Sequence, residues 1–227
     1  MRDTGDRWTR TDLAAAEAIL SGVEPTVETV ERTTGFSRGA VTNTLARLER
    51  RGLLERPSPG RGRGVARRLA DPDKLIDEYA DAARDFRMKQ RVVRLHRLWT
   101  DPLAALASEI GPAFGETGAR WAVSGAAAST LLAPYLSDVN VLDLYVERDL
   151  FSNPDELGDV IGARIVDKGH RLEVRELPTP SSEAGPKIGN VQVALPARVY
   201  ADLMSSGGRF AEAAHHLREV RGVGPGA

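Results

Sequence analysis

Apolar residues Leu13, Ala16, Ile19 and Leu20 recur at helical spacing, with Thr11-Asp12 as a capping pair before them and Gly22 as a stop. Pro25 stands where a first-turn proline is tolerated, and Val27 and Val30 carry a second, shorter helix. Thr34-Gly35-Phe36 reads as a tight turn, Ser37 as the cap of a third helix running to about residue 51, and Gly52 as its end. Leu53-Leu54-Glu55-Arg56 and Val65-Ala66-Arg67-Arg68-Leu69 are short strand signals around a Gly/Pro/Arg loop, the pattern of a β-hairpin. From Asp71-Pro72 onward, Leu75, Tyr79, Ala82, Phe86 and Val93 keep an alternating four-and-three spacing. That seam predicts one long helix to about residue 99, crossing an interruption at Lys89-Gln90. A short helix over 103–110 follows, and Gly111-Pro112 with Gly115 marks a linker or turn. Strand signals at 120–123, 139–146, 171–176 and 191–195 then alternate with helix signals at 125–132, 155–161, 197–205 and 209–221.

Three helices and a hairpin within about 60 residues are the element order of a winged helix-turn-helix. The expected fold class is therefore α+β: a winged helix-turn-helix over 1–70, a long linker or dimerisation helix and a short helix over 71–114, an α/β domain over 115–221, and a disordered tail over 222–227. The apolar seam of the long helix either pairs two chains or packs on the chain's own second domain. Its cations Arg84, Arg87, Lys89, Arg91, Arg94 and Arg97 either extend a polyanion contact or form a solvated face.

Composition adds exclusions. No run of about 18 apolar residues occurs, so no membrane partner is expected, and the polar N-terminus gives no sign of secretion. With no cysteine there is no disulfide, thiolate metal site or cysteine nucleophile. His96, His170, His215 and His216 lack a second ligand at metal-binding spacing, so no metal and no cofactor is expected. The expected location is cytoplasmic, associated with the nucleoid. The net charge of −1 conceals an asymmetry. Between Arg32 and Arg68 ten arginines face two acids, Glu49 and Glu55, whereas residues 71–227 carry 18 basic and 23 acidic side chains. A compact basic segment in a near-neutral chain is the footprint of a polyanion partner, here double-stranded DNA.

On the third helix Val41, Leu45 and Leu48 form an inner stripe. The face assigned to DNA holds Gly39, Asn43, Ala46, Arg47 and Arg50, with Thr42 on its shoulder. Small residues let a helix sink into the major groove; Asn43 carries the donor–acceptor pair for adenine and Arg47 the fork for guanine. Ser37 and Arg38, at the helix N-terminus, suit phosphate. Arg61 and Arg63 alternate with glycines in the hairpin loop and suit a narrow minor groove, while Arg67 and Arg68 return along the hairpin toward flanking phosphates.

The segment GFSRGAVTNTLARLERRGLLERP resembles the recognition-helix region of MarR-, DtxR- and ArsR-like winged helices. The segments WAVSGAAASTLLAPYL, LDLYVERD and ARVYADLMSSGGRFAEAAHHLRE are similar to the antitoxin component of AbiE-type (type IV) toxin–antitoxin systems. That resemblance implies a bacterial transcriptional regulator that represses its own operon through the winged helix, with a cognate toxin protein as a possible partner of the C-terminal domain. Winged helices commonly bind as homodimers. Ser124-Gly125 after one strand and Asp143 on the next resemble a nucleotidyltransferase layout. The Gly-Ser order is reversed, however, and the same-face neighbours of Asp143 are Val141 and Tyr145, so no acid pair for two metals stands on that strand. The expectation is a degenerate nucleotidyltransferase-like domain and no enzymatic activity. The alternatives are a nucleotidyltransferase-like enzyme with a DNA-targeting module, and a DNA-architectural or replication-associated factor.

Overall fold

A computed structural model describes residues 7–56 and 67–221. The chain opens with three helices, α1 (Arg10–Leu20), α2 (Val27–Thr34) and α3 (Arg38–Arg50). The cap of α1 is Thr9, two residues earlier than expected. Its hydroxyl accepts from the Asp12 amide while the Asp12 carboxylate accepts from the Thr9 amide, a reciprocal capping box. Thr26 and Ser37 cap α2 and α3, and Gly35 ends α2 at φ 71°, a left-handed conformation that glycine adopts without steric cost. Leu13, Ile19, Val30, Val41, Leu45 and Leu48 are buried between the three helices. Strands β1 (Leu54–Glu55) and β2 (Arg68–Leu69) then pair antiparallel, Leu54 opposite Leu69 and Glu55 opposite Arg68. Both strands fall within the arms the sequence predicts; Val65 and Ala66 of the second arm lie outside the described residues. The loop with Arg61 and Arg63, and the tail over 222–227, lie outside the described residues.

The long helix does not form as expected. Helix α4 runs from Pro72 to Arg87, and the chain turns at Met88–Gln90 into β3 (Val93–His96). Val93 and Leu95 are buried while Arg94 is exposed and His96 half-buried, the two-residue period of a strand. The linker reading fails with it, because β3 is an internal strand of the main sheet.

Helix α5 (Pro102–Ala105) passes through a π-helical turn at Leu106–Ile110 into α6 (Gly111–Thr117). Gly111-Pro112, expected as a break, is therefore inside a helix. Pro112 comes directly after the π-helical turn, where its missing N–H removes one bond from the ladder, and Gly111 lets the helix pack against the Asn190 carbonyl. There follow β4 (Trp121–Ser124), α7 (Gly125–Leu132), β5 (Leu142–Val146), α8 (Arg148–Ser152), α9 (Pro154–Ile161), β6 (Arg164–Ile165) and β7 (Leu172–Glu176). A small hairpin, β8 (Lys187–Ile188) and β9 (Val191–Gln192), leads to α10 (Pro196–Ser206) and α11 (Arg209–Arg221).

The main sheet has the order β4-β5-β7-β3-β6. Only β5 and β7 run parallel, joined by a crossover through α8 and α9; the other pairs are antiparallel. Helix α10 packs against α4, α7, α11 and β4, and α1 packs against both α4 and α10. The buried residues of the winged helix and the body therefore form one continuous core.

At that junction lies a wholly buried ion pair, Glu17 of α1 with Arg198 of α10. Glu17 also accepts from the Tyr79 hydroxyl at 2.6 Å and the Thr179 hydroxyl at 2.7 Å, with Ser182 at 3.1 Å. Burial pushes the Tyr79 phenol well above its ordinary value, so it stays a donor. Arg10 adds a second tie, donating to the carbonyls of Leu177 and Pro178.

Candidate nucleic-acid interface

Helix α3 sorts its side chains by facing. Val41, Leu45 and Leu48 are fully buried, whereas Ser37, Arg38, Gly39, Thr42, Asn43 and Arg50 are exposed. A Cβ on Gly39 would meet nothing within 4 Å, so that part of the face is open. Arg38, its side chain 74% exposed, has Glu31 at 3.8 Å as its one ion-pair partner among the described residues, a distance that leaves it available to phosphate. The Thr42 hydroxyl donates to the Arg38 carbonyl at 2.7 Å. Asn43 and Arg50 have no polar partner among the described residues. The first turn carries no acid, so the positive end of the helix is uncompensated.

Two expected DNA contacts are placed differently. Arg47 is folded back against α1: its Nη2 lies 2.6 Å from Asp12 Oδ1, and it also donates to the Thr9 and Thr44 hydroxyls. Arg67 is 9% exposed and bonds Glu49 at 3.1 Å, so it braces the hairpin against α3 instead of facing outward. Arg68 is exposed and pairs with Glu55 across the hairpin at 2.6 Å. Arg61 and Arg63 lie outside the described residues.

Sequence reasoning missed Asp12 and Thr44 as partners of α3. Asp12 is 3% exposed, and its Oδ1 accepts from both Thr44, at 2.7 Å, and Arg47. Thr44 is itself buried, a sign that this flank of α3 faces α1.

Of the cations expected along the long helix, Arg84, Lys89 and Arg91 are exposed, whereas Arg87, Arg94 and Arg97 are drawn into ion pairs. Arg87 bonds Asp143 at 2.6 Å, Arg94 bonds Glu173 at 3.3 Å, and Arg97 is paired with Glu109 and the Ile161 carbonyl. Around Asp143 the sheet gathers a polar cluster. Asp143 is held by Arg87 and by Arg175 at 3.1 Å; Asp202 accepts from Ser124 at 2.6 Å and from Tyr145. Burial pushes the Tyr145 phenol up to about 12, keeping it a donor to Asp202 while it accepts from Arg87. Gly125, at φ 59°, lets the Asp143 carboxylate approach the backbone; a Cβ there would lie 2.6 Å from Oδ2. Glu173 stands beside Asp143 on the neighbouring strand and is bonded by Arg175 at 2.7 Å. Among the described residues no group of three His, Asp or Glu could hold a metal ion. His215 is exposed and His216 half-buried, each against a tyrosine ring.

Burial alone would raise the Glu173 carboxyl, but Arg175 and Arg94 outweigh it and hold it below its ordinary value. A carboxyl depressed in the folded state stabilises above its unfolded value and loses that contribution as pH falls. Urea unfolding should therefore show Glu173→Gln losing less stability than the parent as pH is lowered below about 4. Equal acid sensitivity in both proteins would contradict the pairing.

A capped helix-turn-helix, a hairpin after it, and an exposed polar face on the third helix define a winged-helix DNA-binding protein, and residues 9–64 match the MarR family model. Residues 68–221, more than half the chain, match the family of transcriptional regulators described as the AbiEi antitoxin of type IV toxin–antitoxin systems. The chain belongs to that family and is a DNA-binding transcriptional regulator. No match was found among curated proteins or solved structures. No helix among the described residues is long and apolar enough to cross a membrane.

Proposed function

We propose that the chain is the autorepressor and antitoxin of a type IV pair, working on chromosomal DNA in the bacterial cytoplasm. Helix α3 enters the major groove of its own operator, and a homodimer covers two half-sites one helical turn apart. The observation that carries this reading is the exposed face of Gly39, Thr42, Asn43 and Arg50, with Asn43 and Arg50 unpartnered among the described residues. A bidentate side-chain contact to a base discriminates by about 1–3 kcal/mol. Asn43→Ala should flatten the preference at one A·T pair by that amount while the melting temperature holds. Arg38→Ala should instead weaken all sequences alike and reduce the slope of log K against log salt by about 1. Titration of labelled promoter duplexes checks both; unchanged binding by both variants would remove α3 from the interface.

The body serves as the antitoxin module, with a cognate toxin protein as its partner. Its layout is that of a degenerate nucleotidyltransferase-like domain without catalytic activity. The support is electrostatic: Asp143 and Glu173, the two carboxylates that neighbouring strands bring together, are each bonded by arginine.

A further inference from the structure

We infer that Arg47 is a positioning residue of the DNA-binding helix and not one of its base readers. The inference rests on α3 being the helix that meets DNA, and it assigns the reading to Asn43 and its exposed neighbours.

Asp12 joins two helices through one carboxylate. Its Oδ2 accepts from the amide and hydroxyl of Thr9, at 2.7 and 2.8 Å, and so closes the cap of α1. Its Oδ1 accepts from Thr44 at 2.7 Å and from Arg47 at 2.6 and 3.2 Å, and so holds α3. Arg47 spans the seam by adding donations to Thr9 and Thr44. Its side chain is 25% exposed and that of Asp12 only 4%. These bonds fix the rotation of α3 about its axis, which decides where Asn43 points.

Magnitudes decide whether Arg47 would leave this site for a guanine. A bidentate base contact is worth roughly 5- to 150-fold in discrimination. Stripping a buried carboxylate of its cation costs about two to three and a half orders of magnitude. The swing is unfavourable unless another cation replaces Arg47. Among the described residues no other cation bonds Asp12, and Arg51, one helical turn beyond Arg47, pairs with Glu78 of α4. Moreover α1 is itself fixed to the body through Glu17 and Arg198, so the anchor that Arg47 grips is rigid.

The experiment takes a duplex selected by the full-length protein from a random-sequence pool, together with every single-base-pair variant of that duplex. Arg47→Ala should weaken all of them alike, about five- to twentyfold, with the salt slope unchanged. Asp12→Ala should do the same, and the double variant should bind no worse than the weaker single one. Arg47→Lys should recover part of the affinity by keeping one ion pair, which a loss of bulk alone would not do. Thr44→Val removes one bond to Asp12 with the charges intact, and its smaller uniform loss serves if Asp12→Ala does not fold. The inference is overturned if Arg47→Ala erases the preference at one base pair while Asp12→Ala does not. A salt slope lowered by about 1, marking a phosphate contact, overturns it equally, as does unchanged affinity in every variant. Asn43→Ala separates the two levels: if it leaves every preference intact, the assignment of α3 itself has failed.

Discussion

Arg198→Ala should lower unfolding stability by about 3–5 kcal/mol, a large share of the 5–15 kcal/mol typical of a domain. The cause is where the pair sits. Glu17 and Arg198 are 0% and 1% exposed, and Arg198 also lies over the Tyr79 ring, 5.4 Å from its centroid. Removing the cation leaves a carboxylate in the core with only hydroxyl donors from Tyr79, Thr179 and Ser182. Glu17→Ala should be at least as damaging, because it strands the guanidinium and three hydroxyls together. The apolar replacement Glu17→Met with Arg198→Met should recover much of the loss, since the damage comes from an unpaired charge and not from lost attraction. Urea denaturation of the three variants checks this; equal losses in the double and single variants would show that packing, not charge, dominates. Because the pair bridges α1 and α10, amide exchange in α1 should rise more in Arg198→Ala than exchange in the sheet.

This pair also marks the limit of what the chain reveals by itself. Glu17 sits among alanines and reads as a solvated helix position; its partner is 181 residues away. By contrast the winged helix is legible because its signals are local: the Ser37 cap, the Gly35 turn and the Val41/Leu45/Leu48 stripe all act within one or two turns. The Thr9 box was also local, since Thr9-x-x-Asp12 carries it, but Thr11-Asp12 offered a competing cap. Strand β3 was hidden because Val93 falls on the seam of α4 by spacing, and four residues are too few for a two-residue period to prevail. The spacing along α3 already sets Arg47 off the outer face. At about 100° per residue it lies roughly 120° from Val41, on the side of Thr44, and not opposite the core. Its acidic partner on α1 could be assigned only from the tertiary packing.

The second large effect concerns the cluster around Asp143. Arg87→Ala should destabilise by about 3 kcal/mol, the lower end for a broken buried pair, because substitutes remain. Asp143 keeps Arg175, and Asp202, 2% exposed, keeps the Ser124 and Tyr145 hydroxyls. Arg87 joins the end of α4 to β5 and α10 in one side chain, so its loss should loosen the α4 contact first, visible as faster amide exchange there. The same site separates a structural body from a catalytic one. If these carboxylates exist to neutralise arginines, the parent transfers no label from a nucleotide with Mg²⁺, and Asp143→Ala loses stability by removing the carboxylate that Arg87 and Arg175 share, which leaves Arg87 only Asp202 and Arg175 only Glu173 as acidic partners among the described residues. Mg²⁺-dependent label transfer by the parent, abolished in Asp143→Ala at a temperature where both remain folded, would instead make the cluster an active site and the arginines its substrate clamps.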